Sequence, residues 1–219
     1  MTPGPPLAVC DGATRTFGAV PAVREASCVV QAGDRVVIIG PSGSGKSTLL
    51  HLIGGLDTPT AGRVIWPGIG ERHQLRPRNV ALIFQTPSLL SPLDVVENVA
   101  LPLLLGGEPE HKAMAAARSA LGRLGLEDLA AKLPEELSGG QAQRVAAARV
   151  IAGSPRLVLA DEPTGQLDHV TGEHMLDVLD DAVAALGAAL VLTTHDRLVA
   201  DRFASRWDMA DGRLRTVAA

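Results

Sequence analysis

The stretch "RVVIIGPSGSGKSTLL", Arg35 to Leu50, decides the fold of this chain. Its first part, "RVVIIG", is apolar on both faces, as expected for a strand buried inside a parallel sheet. A glycine-rich turn begins at Gly40, and the residues after it predict a helix that ends near Gly54 and Gly55. A buried strand that leads through a glycine-rich turn into a helix is a setting in which backbone N–H groups bind phosphate.

The turn matches the pattern G-x-x-x-x-G-K-[ST], and each residue type in it has a chemical reason. Glycines allow backbone N–H groups to point inward around phosphate oxygens. The side chain of Lys46 can reach the β- and γ-phosphates, and the hydroxyl group of Ser47 can bind Mg²⁺. The sequence therefore predicts a nucleotide site. The residues predicted to contact the nucleotide there are Gly40, Pro41, Ser42, Gly43, Ser44, Gly45, Lys46, Ser47 and Thr48.

Two acidic residues follow the apolar run in "RLVLADEP". We expect Asp161 to emerge at the same sheet edge as the glycine-rich turn, where it can hold Mg²⁺ through water. Glu162 lies one residue further on and can orient or deprotonate an attacking water molecule. Taken alone, the pair could equally be solvated acids in a turn, but the glycine-rich turn upstream favours a catalytic pair.

Gln85 and His195 each follow an apolar run, "VALIF" and "AALVLTT" respectively. A polar residue at the end of a buried strand is often only structural. Because the carboxyl ends of parallel strands share one edge, where ligands bind, each is a candidate to contact the γ-phosphate or the attacking water. We predict Glu162, His195 and Gln85 as catalytic residues, and Ser47, Gln85 and Asp161 as the metal site.

Composition and charge limit the classes of function. The chain has 219 residues, of which 46% are hydrophobic and 20% charged, as is typical of a globular protein with one domain. A net charge of −4 gives no reason to expect a nucleic-acid partner, and two cysteines without a metal-binding pattern, Cys10 and Cys28, predict reduced, packed thiols. No apolar run approaches the roughly 18 to 20 residues of a membrane helix, and the N-terminal residues do not resemble a signal peptide. We therefore expect a cytoplasmic protein that needs another chain to act at a membrane.

The pattern along the chain predicts an α/β domain with an insertion. Apolar strand-like runs alternate with helical segments, as in a domain with a largely parallel sheet. From Thr86 to Leu137 the strand-like runs vanish, and the composition and spacing become helical. We therefore predict a single domain over residues 1–219, in which residues 1–85 and 155–219 form the core and the β subdomain, and residues 86–154 form a helical subdomain.

A second candidate phosphate-binding turn lies in "LSGGQAQRVAAARV", Leu137 to Val150. This stretch predicts a loop that runs into an alanine-rich helix, with Ser138 as its N-cap. A Ser-Gly-Gly turn that opens a helix is well suited to hold an anion. One small domain thus carries two phosphate-binding turns far apart in its sequence.

The motifs in their order resemble the nucleotide-binding subunit of an ABC transporter. They are "GPSGSGKST", Gln85, "LSGGQ", "LVLADEP", "GQLD" and His195, and the resemblance covers essentially the whole chain. It implies a P-loop NTPase core with a mainly parallel sheet, an N-terminal antiparallel β subdomain and the inserted α-helical subdomain. It also adds residues to the predicted nucleotide site, namely the adenine-stacking Phe17, the signature residues Ser138, Gly139, Gly140 and Gln141, and Asp168, which closes the loop after the acidic strand.

The resemblance implies a function for the two phosphate-binding turns. In this family two subunits pack head to tail, so that the P-loop of one and the signature of the other enclose the same ATP, with Mg²⁺. The partner would be a second copy of this chain or a paired ABC subunit. Hydrolysis would drive a separate transmembrane permease, which holds the chain at the inner face of the cell membrane and contacts the segment from Thr86 to Ala100.

Finer features point to a subgroup of the family. The stretches "DEPTGQLD" and "SPLDVVENVALPLLL" resemble the ATPases of lipoprotein-release and macrolide-efflux systems, which implies export or extraction. The chain departs from the family at Ala142, where glutamine is usual. Residues 66–79 look shorter than the usual segment there, so the resemblance does not define their fold.

Alternatives remain open at the level of sequence. A soluble ABC-type ATPase without a permease, for example in metal-cluster assembly, would carry the same motifs. A catalytically dead module is disfavoured by the intact chemical residues Lys46, Ser47, Asp161, Glu162 and His195. Leu89 and Leu90 could face a permease or pack inside the chain.

Overall fold

The computed structural model describes residues 4–165 and 167–217, in which strands alternate with helices. The strands are β1 (Ala8–Phe17), β2 (Val20–Val30), β3 (Arg35–Ile39), β4 (Ala61–Ile65), β5 (Val80–Ile83), β6 (Leu157–Asp161), β7 (Ala189–Thr194), β8 (Ser205–Ala210) and β9 (Arg213–Val217). The helices are α1 (Lys46–Ile53), α2 (Val95–Leu105), α3 (Glu110–Arg123), α4 (Gly139–Ala152), α5 (His169–Ala185) and α6 (Arg197–Ala200).

The larger of the two sheets has six strands in the order β5-β6-β7-β3-β8-β9. Its neighbouring strands pair in parallel, except for the edge strand β9, which pairs with β8 in an antiparallel hairpin. The predicted α/β fold with a mainly parallel sheet is therefore confirmed. Because the strands are parallel, the carboxyl ends of β3, β5, β6 and β7 lie along one edge.

The second sheet has the order β2-β1-β4 and is antiparallel, which confirms the predicted β subdomain. Strands β1 and β2 are longer than the runs "LAVCDG" and "SCVVQ", from which the sequence predicts short strands in this region. The register of β1 against β2 shifts at several places between Cys10 and Thr16, so the alternation of side chains is broken there. A strand with broken alternation gives only a short strand signal in the sequence.

An inserted group of helices separates β5 from β6 in the chain. Helices α2, α3 and α4 pack against one another, which confirms the predicted α-helical subdomain. The boundaries after residues 85 and 154 stay a prediction, although α4 ends at Ala152 and β6 begins at Leu157. None of the helices in the described parts of the chain has the length and apolar character needed to cross a lipid bilayer.

Two apolar cores lie on opposite faces of the six-stranded sheet. In β3, Val37 and Ile39 belong to the core on the side of α2–α5, whereas Val36 and Ile38 belong to the core shared with α1 and the antiparallel sheet. Both faces of the strand are thus buried, which is why its sequence is apolar throughout. This double burial holds the glycine-rich turn after β3 at the edge of a rigid sheet.

The segment 66–79, which the resemblance left undefined, caps the C-terminus of α1. Arg76 donates hydrogen bonds to the carbonyl oxygens of Gly54 and Gly55, at 2.6 and 3.0 Å. Arg72 donates to the same Gly55 oxygen at 3.0 Å. The last carbonyl groups of a helix lack partners within it and carry partial negative charge, so two guanidinium groups stabilise this end.

The two cysteines face each other across the β1–β2 ladder. Cys10 pairs in register with Cys28, and both are buried and free. A hydrogen bond with Cys10, together with burial, raises the pKa of the Cys28 thiol well above its ordinary value. The structure therefore agrees with the expectation of reduced, packed thiols.

Candidate nucleotide site at the carboxyl edge of the sheet

The P-loop is clamped between two backbone segments. A Cβ atom on Gly45 would lie 2.1 Å from the carbonyl oxygen of Ala22 in β2, and one on Gly40 would lie 2.0 Å from that of Met209 in β8. Gly45 also has a φ of 101°, a left-handed conformation that favours glycine. Only glycine fits at these two positions, so the loop keeps one path and its N–H groups point to one place.

The side chain of Lys46 is buried at the first position of α1, with 4% of its surface exposed. Its Nζ donates to the carbonyl oxygens of Gly40 and Pro41, at 2.9 and 3.1 Å, and lies 3.4 Å from Glu162 Oε1. This network holds the ammonium group beside the P-loop. A cavity there is lined by the following residues: Ala22, Ser42, Gly43, Gly45, Lys46, Ser47, Thr48, Gln85 and Glu162.

The structure brings together two of the three predicted metal ligands. The Ser47 hydroxyl donates to Asp161 Oδ1 at 2.9 Å, and Asp161 is the last residue of β6. Mg²⁺ in nucleotide sites takes one or two oxygen ligands from protein and the rest from phosphates and water, so this pair fits the ion. The third predicted ligand, Gln85, lines the same cavity as Ser47.

The Glu162 carboxylate lies between the side chains of Lys46 and His195. Its Oε2 lies 3.0 Å from His195 Nδ1, and its Oε1 faces Lys46. The carboxylate is only 15% exposed, whereas the imidazole of His195 is 60% exposed. The predicted catalytic residues Glu162 and His195 therefore touch each other at the sheet edge.

Gln85 lines the cavity next to a backbone group that contacts the helical subdomain. Strand β5 ends at Ile83, so Gln85 lies two residues beyond the strand rather than at its end, where the sequence pattern had put it. The carbonyl oxygen of the residue between them, Phe84, accepts a hydrogen bond from Gln143 of α4 at 3.2 Å. A shift of the helical subdomain would consequently move the backbone next to Gln85.

Phe17, the predicted adenine-stacking residue, ends β1 with half of its surface exposed. The guanidinium carbon of Arg15 lies 4.4 Å from the ring centroid, and Arg15 Nε donates to Asp57 Oδ2 at 2.7 Å. Phe17 pairs with Val20, two residues before Ala22, which borders the P-loop cavity. One face of the ring is therefore covered by Arg15, close to the nucleotide site.

The signature residues form the N-terminus of α4 and line no part of the P-loop cavity. The backbone N–H of Gln141 donates to Ser138 Oγ at 3.2 Å, and that of Ser138 donates to Gln141 Oε1 at 2.9 Å, which makes a capping box. A Cβ on Gly140 would lie 3.1 Å from Thr171 Cγ2, whereas one on Gly139 would meet nothing within 4 Å in the part of the chain that the structure describes. The two predicted phosphate-binding turns of one chain therefore do not share this cavity.

Asp168 has a structural task within its own chain. It is the N-cap of α5, where it accepts hydrogen bonds from the backbone N–H and the hydroxyl group of Thr171, at 3.0 and 2.6 Å. These two bonds lower the pKa of the Asp168 carboxyl below its ordinary value. In the "GQLD" motif, Gln166 lies outside the described residues, as do residues 1–3 and 218–219 at the chain ends.

Sequence reasoning missed two residues that contact the predicted site. Thr193 is fully buried next to Asp161 and Glu162, and Arg15 lies against Phe17. A signal for the first exists, because "AALVLTT" places threonine in an otherwise apolar strand, and a buried hydroxyl needs a partner. The signal for the second is weak, because residues two apart on a strand share a face, but only the tertiary structure shows that the guanidinium lies on the ring.

Comparisons with known proteins agree with this geometry. The family model described as ABC transporter matches residues 23–165. The bacterial ABC transporter cassette MJ0796 is similar in two dimeric structures, one of them in a post-hydrolysis state with ADP and Pi. The post-hydrolysis structure is 34% identical to this chain, with a TM-score of 0.84. The second structure is 35% identical, with a TM-score of 0.86. Both comparisons cover 96% of this chain and 98% of the MJ0796 chain. CbiO1 from Clostridium perfringens, part of the ABC transporter complex CbiONQ, is 26% identical with a TM-score of 0.85, over 97% of this chain and 88% of that chain.

Proposed function

This chain belongs to the ABC transporter family and is an ATPase, and we propose that it is the ATP-binding subunit of a transporter that works as a head-to-tail pair. The P-loop of one copy and the segment Ser138–Gln141 of the other enclose one ATP. The second subunit is another copy of this chain or a paired ABC subunit. With a second copy, twofold symmetry gives two such sites in each pair.

The observation that carries this proposal is the open space around Gly139. Glycine in a helix is less stable than alanine, so a glycine there needs a reason. Among residues 4–165 and 167–217 there is none, because outside its own helix turn no atom lies within 4 Å of the missing Cβ, and its φ is not left-handed. The turn that it forms with Ser138 presents free N–H groups at a helix N-terminus, which attracts an anion. A γ-phosphate held by another subunit meets this requirement.

Binding and hydrolysis follow from the groups at the sheet edge. The P-loop N–H groups and Lys46 bind the phosphates. Ser47 and Asp161, with Gln85, would hold Mg²⁺, and the ion would supply positive charge next to the phosphates. Glu162 takes a proton from the water whose oxygen attacks the γ-phosphorus, and the bond from that phosphorus to the β-γ bridging oxygen breaks.

His195 and Phe17 have supporting parts in the same site. His195 contacts Glu162 through Nδ1, so it orients the carboxylate, and its exposed ring can reach the γ-phosphate. The adenine stacks on the face of Phe17 that Arg15 leaves open. Asp168 fixes the start of α5 beside Gly140 and so supports the signature turn.

We expect Gly139→Arg to abolish ATP-driven pairing and turnover without harm to the folded subunit. A Cβ at this position meets nothing within 4 Å among residues 4–165 and 167–217, and the long charged side chain beyond it would occupy the space that we propose for the other subunit's ATP. Light scattering with and without ATP measures pairing, phosphate release measures turnover, and thermal unfolding measures the stability of the folded subunit. The matched control is Gly4→Arg, which adds the same charge at another glycine with open surroundings and should leave all three unchanged.

A mixing experiment tests the shared site directly. Gly139→Arg keeps its P-loop and Lys46→Ala keeps its signature, so a mixed pair contains one complete site although each variant alone has none. We expect the mixture to form pairs with ATP and to hydrolyse it, whereas each variant alone does neither. A mixture that neither pairs nor turns over ATP, or a Gly139→Arg variant with normal turnover, would contradict head-to-tail sharing.

We further propose that an apolar groove between β5, α2 and α4 docks a cytoplasmic helix of a transmembrane permease. Its floor includes Leu82, Phe84 and Leu101, and its rim carries the 76% exposed Leu105. An exposed apolar groove of this kind marks an interaction site. In the segment predicted to dock, Leu90 is exposed, whereas Leu89 is partly buried and packs against the helical core, so the two alternatives left open by the sequence each hold for one leucine.

Two arginines define the chemistry of the docked helix. Arg76 and Arg149 line the groove, and burial lowers the pKa of each guanidinium. Both donate hydrogen bonds to carbonyl oxygens, and neither has a carboxylate partner among residues 4–165 and 167–217. A permease helix with an apolar face and an acidic side chain would supply the missing counter-charge.

We expect a cysteine at Leu105, but not one at Val20, to crosslink to the cytoplasmic loops of the permease encoded next to this chain's gene. Both positions are strongly exposed, and the native cysteines are buried. Any difference in capture between the two variants therefore reflects where the cysteine lies on the surface. Membranes from cells that make both proteins are treated with a thiol crosslinker, and the captured peptides are identified by mass spectrometry. Equal capture from both positions, or a functional pair without capture from Leu105, would contradict the assignment of the groove. Full activity without any permease would favour a soluble ABC-type ATPase.

We propose export or extraction as the direction of transport. Support comes from "DEPTGQLD" and "SPLDVVENVALPLLL", which resemble the lipoprotein-release and macrolide-efflux subgroup. The chain then works at the cytoplasmic face of the membrane through its permease. A neighbouring permease with few spans and a large outer domain is the expected finding, and an import-type permease would contradict this direction.

A further inference from the structure

Thr193 lies between the two acidic residues of the site without belonging to any motif used above. It is in β7 and pairs in register with Asp161 of the neighbouring strand β6. Its side chain is fully buried, with 0% of its surface exposed. Its hydroxyl group donates to Asp161 Oδ1 at 2.5 Å and accepts from the backbone N–H of Glu162 at 3.1 Å. One hydroxyl group therefore contacts both acidic residues.

The backbone of Glu162 needs such a contact. Its φ is +43°, in the left-handed region, where a residue with a Cβ is strained. Its N–H is held by two oxygens of Thr193, the hydroxyl and the carbonyl, at 3.1 Å each. This conformation sets the direction in which the Glu162 side chain leaves the strand end and meets His195.

The orientation of Asp161 depends on the same hydroxyl group. Asp161 Oδ1 accepts from Thr193 on one side and from Ser47 on the other, at 2.9 Å. Two donors on one carboxylate oxygen limit rotation of the carboxylate plane. A group that orients a metal ligand in this way affects metal affinity, even though it does not touch the metal itself.

We propose that Thr193 is a positioning residue that sets the relative placement of Asp161 and Glu162. This inference rests on the roles proposed above for these two carboxylates. Thr193 reaches the reaction through them: it aims the metal-binding oxygen of Asp161 and stabilises the strained backbone from which Glu162 acts as a base. This role requires the hydroxyl group of Thr193 and does not require its methyl group.

The test is Thr193→Val, which keeps the shape of the side chain and removes only the hydroxyl group. We expect kcat to fall by about 10- to 100-fold, as for other residues that orient metal ligands, while the KM for ATP stays near its wild-type value. Binding of Mn²⁺ in the presence of a non-hydrolysable ATP analogue, followed by electron paramagnetic resonance, should weaken in the same variant. Thr193→Ser should restore both properties.

Thr194→Val is the matched control. It removes a hydroxyl group from the next residue of β7, where the hydroxyl accepts from the backbone N–H of Asp196 at 3.0 Å and touches neither carboxylate. We expect its kcat and its Mn²⁺ affinity to stay close to wild type. If Thr193→Val does not fold, Thr193→Cys replaces it, since a thiol is a weaker donor and acceptor of similar size.

The outcomes separate this inference from the proposed function. Wild-type kcat and Mn²⁺ affinity in Thr193→Val would overturn the role of Thr193, and so would a Thr193→Ser variant as impaired as Thr193→Val. Neither result contradicts the proposed function, provided that Glu162→Gln hydrolyses ATP much more slowly than wild type. If Glu162→Gln is as fast as wild type, the roles of the carboxylates themselves are wrong, and the inference falls with them.

Discussion

Glu162→Gln should slow ATP turnover by about 10²- to 10⁴-fold, the usual contribution of a positioned base. Glutamine has the same shape as glutamate and can still contact His195 Nδ1, so the site keeps its geometry. The carboxylate next to Lys46 also becomes neutral, which leaves the ammonium group to the phosphates. ATP binding is therefore retained, and a pair formed around ATP cannot dissociate through hydrolysis.

Two measurements check this prediction. Single-turnover kinetics give the rate of the chemical step, and light scattering with and without ATP gives the oligomeric state. The matched control is Glu108→Gln, which makes the same change at the ion pair with Arg78 and should behave as wild type. A Glu162→Gln variant that remains monomeric with ATP would count against the shared site, and one with normal turnover against Glu162 as the base.

Lys46→Ala is expected to remove most of the affinity for ATP. The ammonium group is buried and already oriented by two carbonyl oxygens, so it meets the phosphates with little loss of entropy. Loss of one partner of a buried charge pair costs about 2–5 kcal/mol, which corresponds to a weakening of roughly 30-fold to several thousand-fold. Glu162 also loses its cationic neighbour, and its charge then repels the phosphates.

Calorimetry with ATP measures this loss of affinity, and thermal unfolding shows whether the variant is folded. Lys112→Ala is the matched control, because it removes an exposed ammonium group from α3 and should bind ATP normally. Lys46→Arg tests the geometry, since a planar guanidinium does not fit between the Gly40 and Pro41 carbonyls as a compact ammonium does. Unchanged ATP binding in Lys46→Ala would refute the role given to this residue.

Features that depend on neighbours along the chain were predicted well. The strand, glycine-rich turn and helix from Arg35 to Ile53 lie where the sequence placed them, and Ser138 is the N-cap of α4. The reason is physical, because apolar periodicity, glycine conformation and capping are decided within a few residues. The sequence predicted only parts of β1 and β2, where register shifts break the periodicity, and it left the burial of Leu89 open, because that burial depends on the distant helical core.

Contacts between distant segments were only partly predictable. The parallel sheet implied that Asp161, Gln85 and His195 share one edge, but not that Glu162 would contact both Lys46 and His195. The sequence also did not show that the space around Gly139 is open among the described residues, because this depends on where distant segments of the chain pack.

The order of residues by itself indicates an α/β ATPase of the ABC transporter family and predicts two phosphate-binding turns, because the signals for each are short and contiguous. The folded chain decides how those parts act on one another. It keeps the two predicted turns from sharing one cavity, and it places Thr193 between Asp161 and Glu162. The cause of the second placement is the register in which β6 pairs with β7, because that register sets Asp161 opposite Thr193, two residues that lie far apart in the sequence.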